Sequence, residues 1–257
     1  VGKRRYEGDL ITLTTAQSRT RVTPNHRVKA RYAKEFYEKW AVYLMRRGKQ
    51  WRVGMSHTGH FPFQGSGIGG RLTTEGADAA WILSIHRTRS SAILAEAGIH
   101  SRYGITGLTF NVHPNNKKQV LTQRELDIHH ADLEDVSWQR ANILLSAFGL
   151  DEEFPLFVRD GMRRRRTGVA FETVAANLMT GYMELPVIPS AFESSRCERI
   201  SPEWHAVQVT REQYQGDVYS LDVPGPEYYV SGRAIVHNSR GDWNPLLGKK
   251  DSVSAAQ

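Results

Sequence analysis

The chain has 257 residues, 40% of them hydrophobic, enough to bury at least one sizeable core. Its 34 Lys+Arg against 27 Asp+Glu give a formal charge of +7 and a pI near 9.6, a balance that attracts polyanions. No apolar run is long enough to span a bilayer, Val1-Gly2-Lys3-Arg4-Arg5-Tyr6 lacks the apolar stretch of a secretory signal, and the single cysteine, Cys197, excludes an internal disulfide or a cysteine-rich zinc site; the expected setting is a cytoplasm, with no membrane partner.

The first 36 residues carry a β-rich pattern. Asp9-Leu10-Ile11-Thr12-Leu13-Thr14 is rich in β-branched residues, and Val22 and Val28 flank a Pro24-Asn25 turn signal, which predicts strand, loop, strand. The middle of the chain is mixed. A helix is expected from Ser90 to Tyr103, capped by Ser90 or Ser91 and stopped by Gly104. A longer one is expected from Leu133 to Phe148, with Trp138, Ala141, Leu145 and Phe148 along one face and Gly149 at its end. Near the end the β texture returns. Tyr219, Leu221 and Val223 alternate with Val218, Ser220 and Asp222, predicting a strand with one buried face, and Tyr228-Tyr229-Val230, a Ser231-Gly232 turn and Ala234-Ile235-Val236 predict a hairpin. No internal repeat is evident at this level.

The last of these strands runs into His237-Asn238-Ser239, three side chains suited to one reaction. An asparagine side-chain nitrogen can attack its own backbone carbonyl, closing a succinimide and cutting the following peptide bond. An adjacent imidazole can polarise that carbonyl or protonate the leaving amine, and the hydroxyl of the following serine can receive an acyl group before the cut.

In context, Tyr214-Gln215-Gly216-Asp217-Val218-Tyr219-Ser220-Leu221-Asp222-Val223, then Tyr228-Tyr229-Val230 and Ala234-Ile235-Val236-His237-Asn238-Ser239, closely resembles the two terminal motif blocks of inteins. Tyr6-Glu7-Gly8-Asp9-Leu10-Ile11 and Thr23-Pro24-Asn25-His26 resemble the segment around the intein Thr-x-x-His block. The resemblance implies a mainly β, Hint-type horseshoe in which Thr23 and His26 activate the upstream junction. His237 and Asn238 would drive cyclisation, and Ser239 would begin the downstream host segment, or extein. Splicing of this kind needs no cofactor. The family's opening nucleophile block is not present, so the chain is expected to be either the larger piece of a split intein, the preferred reading, or an intein whose N-terminal piece has been removed; the first implies splicing in trans with a complementary N-terminal intein fragment, acting on the flanking extein segments. In the penultimate block Glu227 stands where many inteins have histidine and Ser220 where many have aspartate, leaving Asp222 and Asp217 as substitutes.

The middle of the chain reads as an α/β insert. Ala41-Val42-Tyr43-Leu44-Met45 and Gln50-Trp51-Arg52-Val53-Gly54-Met55 resemble the paired strands of GIY-YIG nucleases, with Ala41 in place of the first glycine and Arg52 in place of the second tyrosine. The resemblance implies Tyr43 as general base, Arg71 as phosphate clamp, Glu96 as ligand of Mg²⁺ and Asn111 as a supporting contact, acting on double-stranded DNA. Arg163-Arg164-Arg165-Arg166 is a candidate phosphate track or a solvated charge run. His129-His130 with Asp127, Asp132 and Asn142 is similar to part of an HNH nuclease or metal cluster. Gly65-Ser66-Gly67-Ile68-Gly69-Gly70 lacks the P-loop lysine-hydroxyl pair and is expected to be a flexible loop. The organisation expected is therefore a first splicing part at 1–36 and an endonuclease-like insert at 37–190, with a nuclease core at about 40–112 and a helical extension at about 120–180. A C-terminal splicing part at 191–238 and a downstream tail at 239–257 complete it.

Overall fold

A computed structural model describes residues 2–37, 39–58, 68–112, 120–158, 170–189, 201–220, 228–237, 242–243 and 250–251. In chain order the elements are β1 (Gly2–Thr14), β2 (Arg19–Val22), β3 (Arg27–Tyr32), β4 (Trp40–Arg47), β5 (Gln50–His57), α1 (Ile68–Thr74), β6 (Ala79–His86), α2 (Arg89–Tyr103), α3 (Gln123–Asp132) and α4 (Glu134–Ala147). There follow β7 (Phe157–Val158), β8 (Phe171–Val174), β9 (Met183–Val187), β10 (Glu203–Ala206), β11 (Gln208–Ser220), β12 (Tyr228–Ser231) and β13 (Ala234–His237). The protein is mainly β, with antiparallel pairing throughout the described ladders of these strands. None of the described helices is long and apolar enough to cross a membrane.

The chain divides into two compact units, Val1–Lys34 with Thr167–Gln257, and Glu35–Arg166. The interruption therefore ends near 166 rather than near 190. Phe171–Val174 and Met183–Val187, expected within the insert, are strands that pair with β3. Their alternation places Phe171, Thr173, Met183, Leu185 and Val187 in the core of the first unit, and burying these side chains is what draws the segment there.

Among the described residues the first unit holds two larger sheets and a two-residue antiparallel pair, Asp242–Trp243 with Lys250–Asp251. One larger sheet has the order β11-β1-β2, and the other the order β10-β9-β13-β3-β8 with β12 paired to β13. β1 and β11 pair over their full lengths, from Gly2↔Ser220 to Thr14↔Gln208, whereas β2 joins only at Ile11–Thr14. Among the described residues no third strand pairs with the outer half of this ribbon, and Tyr219 is 64% exposed; Leu221 and Val223, the other two residues expected on its face, lie outside the described residues. The ribbon contains a short repeat that composition concealed. Tyr6-Glu7-Gly8-Asp9 and Tyr214-Gln215-Gly216-Asp217 lie antiparallel, Tyr6 opposite Gly216 and Gly8 opposite Tyr214. Each phenol folds over its own strand's glycine and donates to the carbonyl of the following aspartate, at 2.9 Å for Tyr6 to Asp9 and 3.0 Å for Tyr214 to Asp217.

The second unit is a sheet of order β5-β4-β6-β7 packed with helices. Tyr43, Leu44, Met45, Trp51, Trp81, Phe110, Leu126, Leu144 and Leu145 form its core. The expected strand pair is a regular hairpin, Trp40↔His57 to Arg47↔Gln50. α2 begins at Arg89 with Thr88 as N-cap, its hydroxyl accepting from Ser91 N at 3.2 Å; Gly104 closes it in the left-handed conformation. α4 buries Ser137, Ala141, Leu144 and Leu145. Trp138 is instead 53% exposed and Phe148 38%, because the face toward β5 is set one position away from the expected stripe, and Trp138 turns its indole N–H to Glu152 at 2.8 Å.

Candidate functional site

In the first unit the Thr23–His26 block is a tight turn between β2 and β3. His26 N donates to Thr23 O at 3.0 Å, and the Thr23 hydroxyl donates to Asn25 Oδ1 at 2.6 Å. The turn is pinned from the other side: Ala175 N donates to His26 O at 2.8 Å and Ala176 N to Pro24 O at 3.0 Å. These bonds satisfy backbone groups that burial would otherwise leave unpaired, and they fix His26, which is only 8% exposed.

The terminal hairpin reaches the same place. β13 lies beside β3 with Val236 opposite Val28, and β12 supplies Tyr229, whose ring stands edge-on to that of His26 at 6.4 Å. Burial holds the Tyr229 hydroxyl above the ordinary tyrosine pKa, so it is a neutral neighbour. The hairpin turn is seated on β2, where the Ser231 and Thr20 hydroxyls share a hydrogen bond of 2.7 Å. β13 ends at His237, whose backbone pairs with Tyr228. The covalent chain then continues into Asn238 and Ser239, which with Asp222 lie outside the described residues. Asp217, the other carboxylate expected to substitute, pairs with Lys3 at 2.9 Å on the ribbon. Tyr229 and the Ala175-Ala176 clamp were not singled out from sequence; the doubled Tyr228-Tyr229 was the signal available.

In the second unit the expected nuclease residues do not assemble as expected. Tyr43 is fully buried, and its hydroxyl accepts from Arg52 Nη1 at 3.2 Å. The same Nη1 reaches both oxygens of Glu75, at 2.7 and 2.9 Å, while Nη2 donates to Gly107 O at 3.1 Å. Glu75 also accepts from Phe110 N at 3.1 Å and lies 3.5 Å from Arg71. Burial alone would lower the Arg52 pKa, but Tyr43 and Glu75 outweigh it and the net shift is upward. Gly54 makes this packing possible, since a Cβ there would lie 2.7 Å from both the Tyr43 hydroxyl and Arg52 Nη2. Glu75 was missed from sequence because nothing in the turn that follows the short α1 marks it as buried.

Arg71 is on α1 with its side chain 45% exposed, and Glu96 is on α2 beside His100, 3.8 Å from its Nε2. Asn111 takes a separate role, accepting from Arg47 at 2.7 Å and donating to Thr74 O at 3.3 Å. The Glu75 carboxylate is neutralised by guanidinium, Glu96 stands with an imidazole, and among the described residues there is no cluster of three His, Cys, Asp or Glu that could hold a metal ion. The histidine pair is likewise dispersed: His129 bonds Thr106 at 2.8 Å, His130 is buried against Phe110 and bonds Thr109 O at 3.2 Å, and Asp127 accepts from Gln123 at 2.8 Å. The Arg163–Arg166 run and residues 65–67 of the glycine-rich segment lie outside the described residues, and Ile68–Gly70 opens α1.

Comparison with known protein families, characterised proteins and solved structures finds no match to this chain.

Proposed function

We propose that this protein is a protein-splicing domain of the intein kind, with Asn238-Ser239 as its downstream junction. The observation that carries the reading is the seating of β13 against β3. It brings the strand that runs into His237-Asn238-Ser239 beside the clamped His26, with Tyr229 between hairpin and turn. Two antiparallel sheets, each woven from both ends of the chain, are compatible with a Hint-type horseshoe. No cofactor enters the chemistry.

With a complementary N-terminal segment carrying the first nucleophile, Thr23 and His26 act on the upstream junction. The upstream acyl group passes to the Ser239 hydroxyl as an ester. Asn238 Nδ2 then attacks its own carbonyl carbon, the C–N bond to Ser239 breaks, and the proton lost from Nδ2 is balanced by the one gained at the Ser239 amine. His237 supplies the general acid–base assistance. The free amine finally displaces the ester oxygen and leaves an ordinary peptide bond between the two extein segments.

The test is to mix the protein with the complementary segment and follow products by mass. Ligated exteins are expected from the wild type, and branched or N-cleaved species from Asn238→Ala; normal splicing by that variant contradicts the proposal. The second unit contributes no step to this reaction. Cleavage of duplex DNA by Tyr43, Arg71 and Glu96 with Mg²⁺ would require a tyrosine open to substrate, and Tyr43 is closed over by Arg52 and Glu75. We therefore expect duplex DNA to remain intact in Mg²⁺.

A further inference from the structure

One end of the second unit's sheet presents a row of rings flanked by uncompensated charge. Trp40 opens β4 and is paired directly with His57, the last residue of β5, and with His86, the last residue of β6. Directly opposed residues of neighbouring strands project to the same face, so His86, Trp40 and His57 form one three-ring row across the pleat. All three are partly exposed. The His57 ring stands edge-on to the indole at 5.2 Å, and the Arg89 guanidinium lies 5.6 Å from the indole centroid. His86 is held by Ser84, Oγ to Nε2, at 2.8 Å.

Arg46, Arg47, Arg52 and Arg71 each have a carboxylate within ion-pair distance. Arg89, over Trp40, and Arg87 and Lys39, next in sequence to His86 and Trp40, have none among the described residues, as is also the case for Lys49, Arg102, Arg124 and Arg140, and both Arg87 and Arg89 are exposed. Arg89 also opens α2, whose first turn contains no acidic residue, so its positive charge is not offset by its own helix. A half-open aromatic row with unpaired guanidinium groups on its margin lacks what a structural cluster needs, a carboxylate to neutralise it. It has what a flexible polyanion with flat rings offers to complement.

We propose that the His86-Trp40-His57 row, with Arg87, Arg89 and Lys39, is a binding platform for a single-stranded polynucleotide. A base stacks on the indole and imidazoles, and the flanking phosphates pair with the arginines. Single strands are selected over duplex because only an unpaired base exposes a face to stack. The proposal is independent of the splicing reading and of any strand cleavage.

Binding is measured on the full chain in EDTA by fluorescence anisotropy. The probes are labelled oligothymidylate and oligouridylate, with a duplex of the same length alongside. Saturable binding of at least one single strand, tighter than the duplex, is expected. Trp40→Ala should weaken it about tenfold, in line with the loss of one base–aromatic stack. Trp40→Phe should recover most of that loss, Arg87→Ala with Arg89→Ala should flatten the salt dependence, and Arg102→Ala, at the far end of α2, should change nothing. Thermal melting of each variant checks the fold; if Trp40→Ala unfolds, Trp40→Phe and the arginine pair carry the test. No saturable binding, duplex bound more tightly than either strand, or Arg102→Ala matching the arginine pair would each overturn it.

Discussion

Glu75 and Arg52 are 4% exposed at their side chains and satisfy each other, so removing one partner leaves the other as an uncompensated buried charge. Glu75→Ala is expected to cost about 3–5 kcal/mol in urea unfolding. Arg52→Met combined with Glu75→Leu should recover most of it, because a well-packed apolar pair of similar volume replaces a buried ion pair at little cost. Equal loss in the single and double variants would contradict that account. His100 gives a pH signature of its own. The Glu96 carboxylate raises its pKa, burial opposes, and the Ile105 carbonyl adds to the rise. A raised imidazole stabilises the fold fully below its unfolded pKa, and that share is lost as pH rises through the folded value. Burial lowers His130 and His86, so their effect has the opposite sign: stability falls as pH drops below the unfolded histidine pKa. Melting temperature followed against pH should therefore show a decline as pH rises past the unfolded histidine pKa that His100→Gln removes, and a decline as pH falls below it that His100→Gln leaves in place.

Among the elements, the terminal hairpin is the one on which the proposed reaction depends. Gly232 in its turn has φ +51°, and a Cβ there would meet the Arg19 backbone oxygen at 2.6 Å. Gly232→Ala is expected to cost about 1–3 kcal/mol through the backbone conformation alone, and to lift the β12–β13 turn from β2. Cleavage at Asn238-Ser239 should slow in step with the loss of stability, read by mass and by urea unfolding on the same samples. This hairpin was legible in the sequence because alternation and the Ser231-Gly232 signal agree. So was α2, since Gly104 marks its end, although Ser90 and Ser91 masked Thr88 as the cap. β8 and β9 were not legible: each is a short segment mixing apolar and polar residues, and only pairing with β3, distant in sequence, decides its state. The Arg52–Glu75 pair was invisible for a related reason. A strand residue and a turn residue just past α1 become one ion pair only through tertiary packing, which no local pattern records.

For the whole molecule, the ladders described for β1, β2 and β3 run to one another, to β8, β9, β11 or to β13, all within the first unit. Ala30 faces Phe171 across the β3–β8 ladder, so the chain leaves and re-enters this unit near one place. Replacing 35–166 by a short linker should therefore leave a folded protein that still cleaves at its downstream junction; loss of cleavage with the fold retained would assign the second unit a part in the reaction. The most direct test of the central claim is a time course of the intact chain by mass spectrometry. Asparagine cyclisation breaks the chain without adding water, so a peptide beginning at Ser239 and a partner ending in succinimide should appear with masses that sum to the parent. Asn238→Ala should abolish both. Fragments whose summed mass exceeds the parent by one water from the outset, or the same fragments from Asn238→Ala, would contradict the account.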